Sequence, residues 1–183
     1  MNRYISDTHF GHFNIIGYDG RPFSTKEEMD EQMIKMWNDV VSDDDTVYIL
    51  GDFSWHKEAE TIKILKALKG DKVLIKGNHD RVSPNISKCF IKVCDYLEVR
   101  DGTEKVVMSH FPIMFWNGHM RNSIHLYGHV HNAVEWEWCK SWHKEYQATQ
   151  INPAKVYNVG CMMKYINYAP RTLQEIIDGN ADN

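Results

Sequence analysis

Apolar residues along the chain follow two rhythms. Short, nearly continuous runs rich in Val, Ile, Leu and Tyr recur at 3–6, 46–50, 72–76, 88–93, 96–100, 105–108, 124–127 and 155–159. Several lack polar alternation, as strands covered on both faces do. Asp101-Gly102, between two of them, predicts a hairpin turn. The second rhythm is helical. Between Thr25 and Val41, the residues Met29, Met33, Met36, Trp37 and Val40 fall on one face. Ser24-x-x-Glu27 and Thr25-x-x-Glu28 each read as a capping box for that helix. Glu58–Lys69 places Ala59, Ile62, Leu65 and Leu68 on one stripe and meets Gly70 as a stop. Leu173–Ile177 predicts a short helix near the end.

Strands alternate with helices early and dominate later, which predicts a mixed α/β (α+β) sandwich. The 183 residues suffice for a real core; no linker, repeat or low-complexity stretch divides them, so one domain over 1–183 is expected. The stretch 132–154 carries Trp136, Trp138, Trp142 and Tyr146 among charges. It reads as an amphipathic hairpin over the core, or as a lid that stacks on a base.

Charge changes this picture little. The balance of 21 Lys+Arg against 25 Asp+Glu leaves −4, which argues against a broad basic nucleic-acid surface. It leaves room for a nuclease that holds phosphate through metal. No window approaches the roughly 18 apolar residues of a membrane span, and Met1–Asp7 lacks the apolar core of a signal peptide. A soluble, cytoplasmic protein without a membrane partner is expected. Cys89, Cys94, Cys139 and Cys161 form no C-x-x-C pair and read as buried thiols in a reducing compartment.

The ten histidines are the compositional oddity. Several stand where a strand ends: Asp7-Thr8-His9, Gly51-Asp52, Gly77-Asn78-His79-Asp80, Ser109-His110 and Gly128-His129-Val130-His131. The carboxyl ends of strands are where α/β sheets form ligand sites. Singly, each piece is weak, since D-x-H and G-D are common. Together they supply two carboxylates, one amide oxygen and four imidazoles, from Asp7, Asp52, Asn78, His9, His110, His129 and His131. Oxygen and nitrogen donors without thiolate suit Mn²⁺, Fe or Zn²⁺. Seven donors exceed what one tetrahedral zinc uses, but serve two ions if one carboxylate bridges.

The ordered set D-x-H, G-D, G-N-H-D, S-H, G-H-V-H resembles the calcineurin-like metallophosphoesterase superfamily over Asp7–His131. Its first motif, Asp7-Thr8-His9-Phe10-Gly11-His12, is similar to a small bacterial and phage branch that reads D-x-H-F-G-H. Asn158-Val159-Gly160 and Arg171–Ile176 also resemble that branch's C-terminal end. The resemblance implies a four-layer αββα sandwich of two mixed β-sheets flanked by helices. It implies Asp7, His9 and His131 on one divalent ion, Asn78, His110 and His129 on a second, and Asp52 between. Mn²⁺ leads the expected metals, with Fe, Zn²⁺ or Ni²⁺ as alternatives. His79 would face the substrate and protonate the leaving oxygen as a bridging hydroxide attacks phosphorus. The expected substrate is a small phosphodiester or phosphomonoester, nucleotide-derived compounds among them. The other readings are a single-strand nuclease and a non-catalytic metal-binding scaffold.

Two departures narrow the expectation. Gly51-Asp52 continues into Phe53-Ser54-Trp55-His56, not the Asp-Arg-Gly of the protein phosphatases, which argues against a phosphoprotein substrate. Cys161-Met162-Met163 differs from the branch's pattern. Asp80 either orients His79 or serves structure, and His12 either lines the substrate pocket or packs. His56, His119, His125 and His143 read as packing or surface residues, with His119 close enough in sequence to the Ser109-His110 loop to touch substrate.

Overall fold

A computed structural model places the apolar runs in eight strands and describes residues 1–149 and 155–180. Strands β1 (Asn2–Ile5), β2 (Thr46–Ile49), β3 (Asp71–Ile75) and β4 (Lys92–Cys94) form a wholly parallel sheet in that order. Strands β5 (Tyr96–Asp101), β6 (Glu104–Ser109), β7 (Ile124–Tyr127) and β8 (Lys155–Asn158) form a second sheet. There β5 and β6 are the expected hairpin, and the remaining pairs are parallel. Helices α1 (Phe13–Asp19), α2 (Lys26–Val40), α3 (Glu58–Ala67), α4 (Pro84–Ser87), α5 (Val134–Ala148) and α6 (Leu173–Asn180) complete the chain.

One hydrophobic core draws on both sheets, with Ile5, Ile49 and Ile75 from the first and Val106, Met108 and Leu126 from the second. The sheets are also joined by hydrogen bonds at one end. Ser6, just past β1, receives and returns backbone bonds with Val159 and Cys161, just past β8. Asp7 therefore emerges where the carboxyl edges of the two sheets converge. Among the described residues, no helix is long and apolar enough to cross a membrane.

Helix α2 matches its predicted face, burying Met29, Met33 and Trp37. Thr25 is its cap, its hydroxyl accepting from the Glu28 amide, while the Glu28 carboxylate reaches back to the Ser24 amide. Four expectations are corrected. The run 88–93 is not one strand: Ser83 caps a turn of helix beginning at Pro84, and β4 starts only at Lys92. Helix α3 buries Thr61, Ile64 and Leu65, a face rotated from the predicted stripe, and ends at Ala67, before Gly70. The segment read as an amphipathic hairpin contains helix α5, since Trp138, Trp142 and Tyr146 repeat at the helical spacing of four; positions 150–154 lie outside the described residues. Of the cysteines, all free, only Cys161 is fully buried.

Candidate metal centre

Three of the five strand ends, after β1, β2 and β7, turn through strained backbone. Asp7, His9, Asp52, His129 and His131 all have positive φ, between 48° and 70°. A side chain in this left-handed region costs about 1–2 kcal/mol per residue, and such strain persists where surrounding structure over-determines it. Five of the seven expected donors share it. Gly51, at φ 87°, fits because a Cβ there would strike His110 and the Gly77 backbone. Gly128 is likewise pressed against Ser6 and the Asp7 carboxylate. Larger residues at either position would push the strand ends apart.

The donors gather in two groups. Ligand atoms of Asp7, His9 and His131 lie within 4.8 Å of one another, and so do those of Asp52, His110 and His129. Asp52 connects the groups: its Oδ2 lies 3.7 Å from His9 Nε2 and 3.6 Å from His110 Nε2. Asn78 joins the second group, its Oδ1 2.9 Å from His110 Nε2.

Hydrogen bonds fix which nitrogens are free. His110 Nδ1 donates to the Leu50 carbonyl at 2.8 Å, which turns its Nε2 into the site, 2.9 Å from Asn78 Oδ1. His131 Nδ1 donates to Asp19 Oδ1 at 2.7 Å, freeing its Nε2, which stands 3.3 Å from His9 Nε2. Burial holds His9 far toward its neutral form, with a pKa lowered to about 2, and its Nδ1 is buried without a hydrogen-bond partner. Burial also pushes the Asp7 carboxyl up, against the pull of His131 and His110. Crowded imidazole nitrogens and buried carboxylates gathered within a few ångströms fit divalent-ion chemistry, which would favour the ionised carboxylates.

Outside the donors, His79 joins neither group. It is exposed, its ring rests 4.5 Å from that of Trp55, and its amide donates to Asp52 Oδ1. His12 stacks flat on the Trp55 ring, 4.2 Å away at 7°, and is not among the residues that line the cavity beside His79. Asp80 does not turn to His79: its carboxylate accepts the amides of Asp52, Phe53 and Gly77, so it serves structure. His119 closes its own loop by a 2.9 Å bond to the Trp116 carbonyl. A cavity of about 670 Å³ opens beside Asn78 and His79, with Trp55, Lys57 and Arg81 in its lining.

Some supporting residues had no sequence signal. Arg21, fully buried, donates to the carbonyls of Asp7 and Thr8 and to Asp19. Asp30 grips the Gly11 amide and His56 Nε2, at 2.9 and 2.6 Å. Asn158, by contrast, stands in the Asn158-Val159-Gly160 motif noted in the sequence, and it donates to the His131 carbonyl. Cys161 has its account here too, its Sγ 3.1 Å from the Asp7 carbonyl and its thiol pushed up to about 12 by burial.

Two four-stranded sheets flanked by helices, with paired His/Asp groups at their joined edge, define the class: an α/β protein built around a candidate metal-binding centre. The chain belongs to the calcineurin-like phosphoesterase superfamily, whose domain profile matches residues 3–174. An uncharacterized protein of Methanocaldococcus jannaschii is 36% identical over 176 residues, spanning 94% of this chain and 87% of its own. The gene 66 protein of Mycobacterium phage D29 is 26% identical over 182 residues, with 84% of each chain covered. A protein of unknown function from Aquifex aeolicus has the same fold, with a TM-score of 0.73 and 26% identity over 97% of this chain and 98% of its own.

Proposed function

We propose that this protein hydrolyses a small phosphoester with two divalent metal ions, one held by Asp7, His9 and His131 and the other by Asn78, His110 and His129. Asp52 serves both. The observation that carries the reading is the position of Asp52 Oδ2, within 3.7 Å of one donor in each group. Mn²⁺ leads the expected metals, with Fe, Zn²⁺ and Ni²⁺ as alternatives for oxygen and imidazole donors without thiolate. When bound, such a pair supplies Lewis acidity toward phosphoryl oxygens and lowers the pKa of water enough to furnish a nucleophile near neutral pH.

The chain's own residues do the rest. Asp80 fixes the Asp52 turn through three backbone amides, so the shared carboxylate keeps its aim. The Asn78 amide and the His79 imidazole border the cavity and stabilise charge developing on the phosphoryl group. His79 carries the proton for the leaving oxygen, and the Trp55 ring limits where its imidazole can swing. The leaving group occupies the cavity beside His79. Lys57 and Arg81 line it and, among the described residues, take no part in an ion pair, which favours a leaving group that is itself anionic, such as a nucleotide.

Mn²⁺-loaded protein assayed with bis-(p-nitrophenyl) phosphate, p-nitrophenyl phosphate, cyclic nucleotides, dinucleotides and short oligonucleotides tests this. Turnover of any of them that disappears with a chelator and returns with Mn²⁺ is the expected result. Two bound ions and no turnover of any substrate would contradict it and leave the scaffold reading.

A further inference from the structure

The two donor groups are braced differently. Behind the first stands a buried charged clamp. His131 Nδ1 donates to Asp19 Oδ1 at 2.7 Å, and Asp19 Oδ2 is held by Arg21 through Nε at 2.9 Å and Nη2 at 2.8 Å. The Asp19 side chain is 3% exposed and that of Arg21 is 0%. Arg21 also binds the carbonyls of Asp7 and Thr8, at 2.9 and 2.8 Å, on the stretch that presents Asp7 and His9. One guanidinium therefore fixes the backbone of two donors and, through Asp19, the ring of the third.

The second group has no such partner. His110 leans on the neutral Leu50 carbonyl at 2.8 Å. Among the described residues, no hydrogen bond reaches the His129 ring, which packs against the rings of His110 and Phe111. Asn78 is exposed and uncharged. A carboxylate behind a ligating histidine raises its basicity and fixes its orientation, and losing such a partner costs about 10–100-fold in metal affinity. A backbone carbonyl fixes orientation with far less charge.

We infer that Asp19 and Arg21 make the two metal positions unequal: the Asp7–His9–His131 position is filled first and held tightly, while the Asn78–His110–His129 position exchanges with free metal. Asp19 is a positioning residue that touches no substrate. The inference rests on the two-ion reading proposed above.

Titration of metal-free protein with Mn²⁺ alone, followed by calorimetry and by the electron paramagnetic resonance of free Mn²⁺, reads this without any substrate. Two steps separated by about tenfold or more are expected in the wild type. In Asp19→Asn, which keeps the side-chain shape, the tight step weakens by about 10–100-fold while the loose step moves less than about twofold. Asn78→Ser weakens the loose step only, and circular dichroism checks that each variant is folded. Two equal sites in the wild type would overturn the inequality and leave the two-ion reading standing. So would an Asp19→Asn effect shared evenly by both steps, or an Asn78→Ser effect on the tight one. A single equivalent at every concentration would instead contradict the two-ion reading itself.

Discussion

The joined strand ends and the aromatic patch around α5 are both rich in rings, yet they are built on opposite terms. At the strand ends, five donors sit in left-handed backbone, and amides, Arg21 and buried carboxylates hold them there. Around α5, a small satellite cluster of Val107 and Trp116, with Ile113, Tyr146 and Val156 packed on it, sits apart from the main core. Trp142 and Tyr146 stack at 5.3 Å, Phe115 meets both edge-on, and Trp138 is 73% exposed. The first region accepts local strain to fix a geometry; the second buries surface and carries none of the strained donors. The candidate metal donors coincide with the strain.

Substitutions should separate the two regions sharply. Asp52→Asn has the largest expected effect, because it removes the charge shared by both groups. Paired metal binding and turnover are both lost, as metal analysis and an ester assay would register. Retention of two ions with full turnover would remove Asp52 from between them. Next comes His79→Ala, which keeps both ions but slows turnover by roughly 10²–10⁴, the range of a lost general acid. If that variant loses metal, His79 is a ligand and its assignment here fails.

A smaller effect joins the second region to pH. His125 is buried in β7, donates from Nδ1 to the Val107 carbonyl and accepts the Ile113 amide on Nε2. It therefore ties the loop after His110 to the sheet as a neutral ring, and burial lowers its pKa to about 4. Above its unfolded pKa of about 6.5 the ring is neutral in both states and has no effect. Between that value and about 4, the unfolded chain binds the extra proton, so stability falls as pH falls. The loss approaches roughly 3 kcal/mol at the low end, and His143, also lowered to about 4 by burial, adds to it. Denaturant midpoints at pH 7 and pH 5 should show the drop, with a shallower slope in His125→Asn; an unchanged slope would mean His125 is not the group. The smallest effect belongs to Trp138→Ser. Its ring is largely in solvent, so stability should move within about 0.5 kcal/mol and turnover not at all. A large loss of turnover would make α5 part of the site, as a lid.

The same contrast governs what the chain made legible. The donors are legible as a set, because five successive apolar runs each end in Asp, Asn or His, although each piece alone is common. Asp7, Asp52 and the G-H-V-H pair came from order and spacing. Asp19, Arg21 and Asp30 follow no apolar run and no motif, and Asp19 meets His131 only across 112 positions. The α5 helix was mistaken for a hairpin because its aromatic residues favour strands by composition while their spacing favours a helix. At 88–93, one capping serine and one proline outweighed an apolar run.

The central claim is that two ions share Asp52, and anomalous diffraction from Mn²⁺-soaked crystals tests it most directly. The account predicts two peaks about 3.5–4 Å apart, one against Asp7, His9 and His131, the other against Asn78, His110 and His129, with the Asp52 carboxylate touching both. A single peak, or two peaks with Asp52 turned away from either, would contradict it.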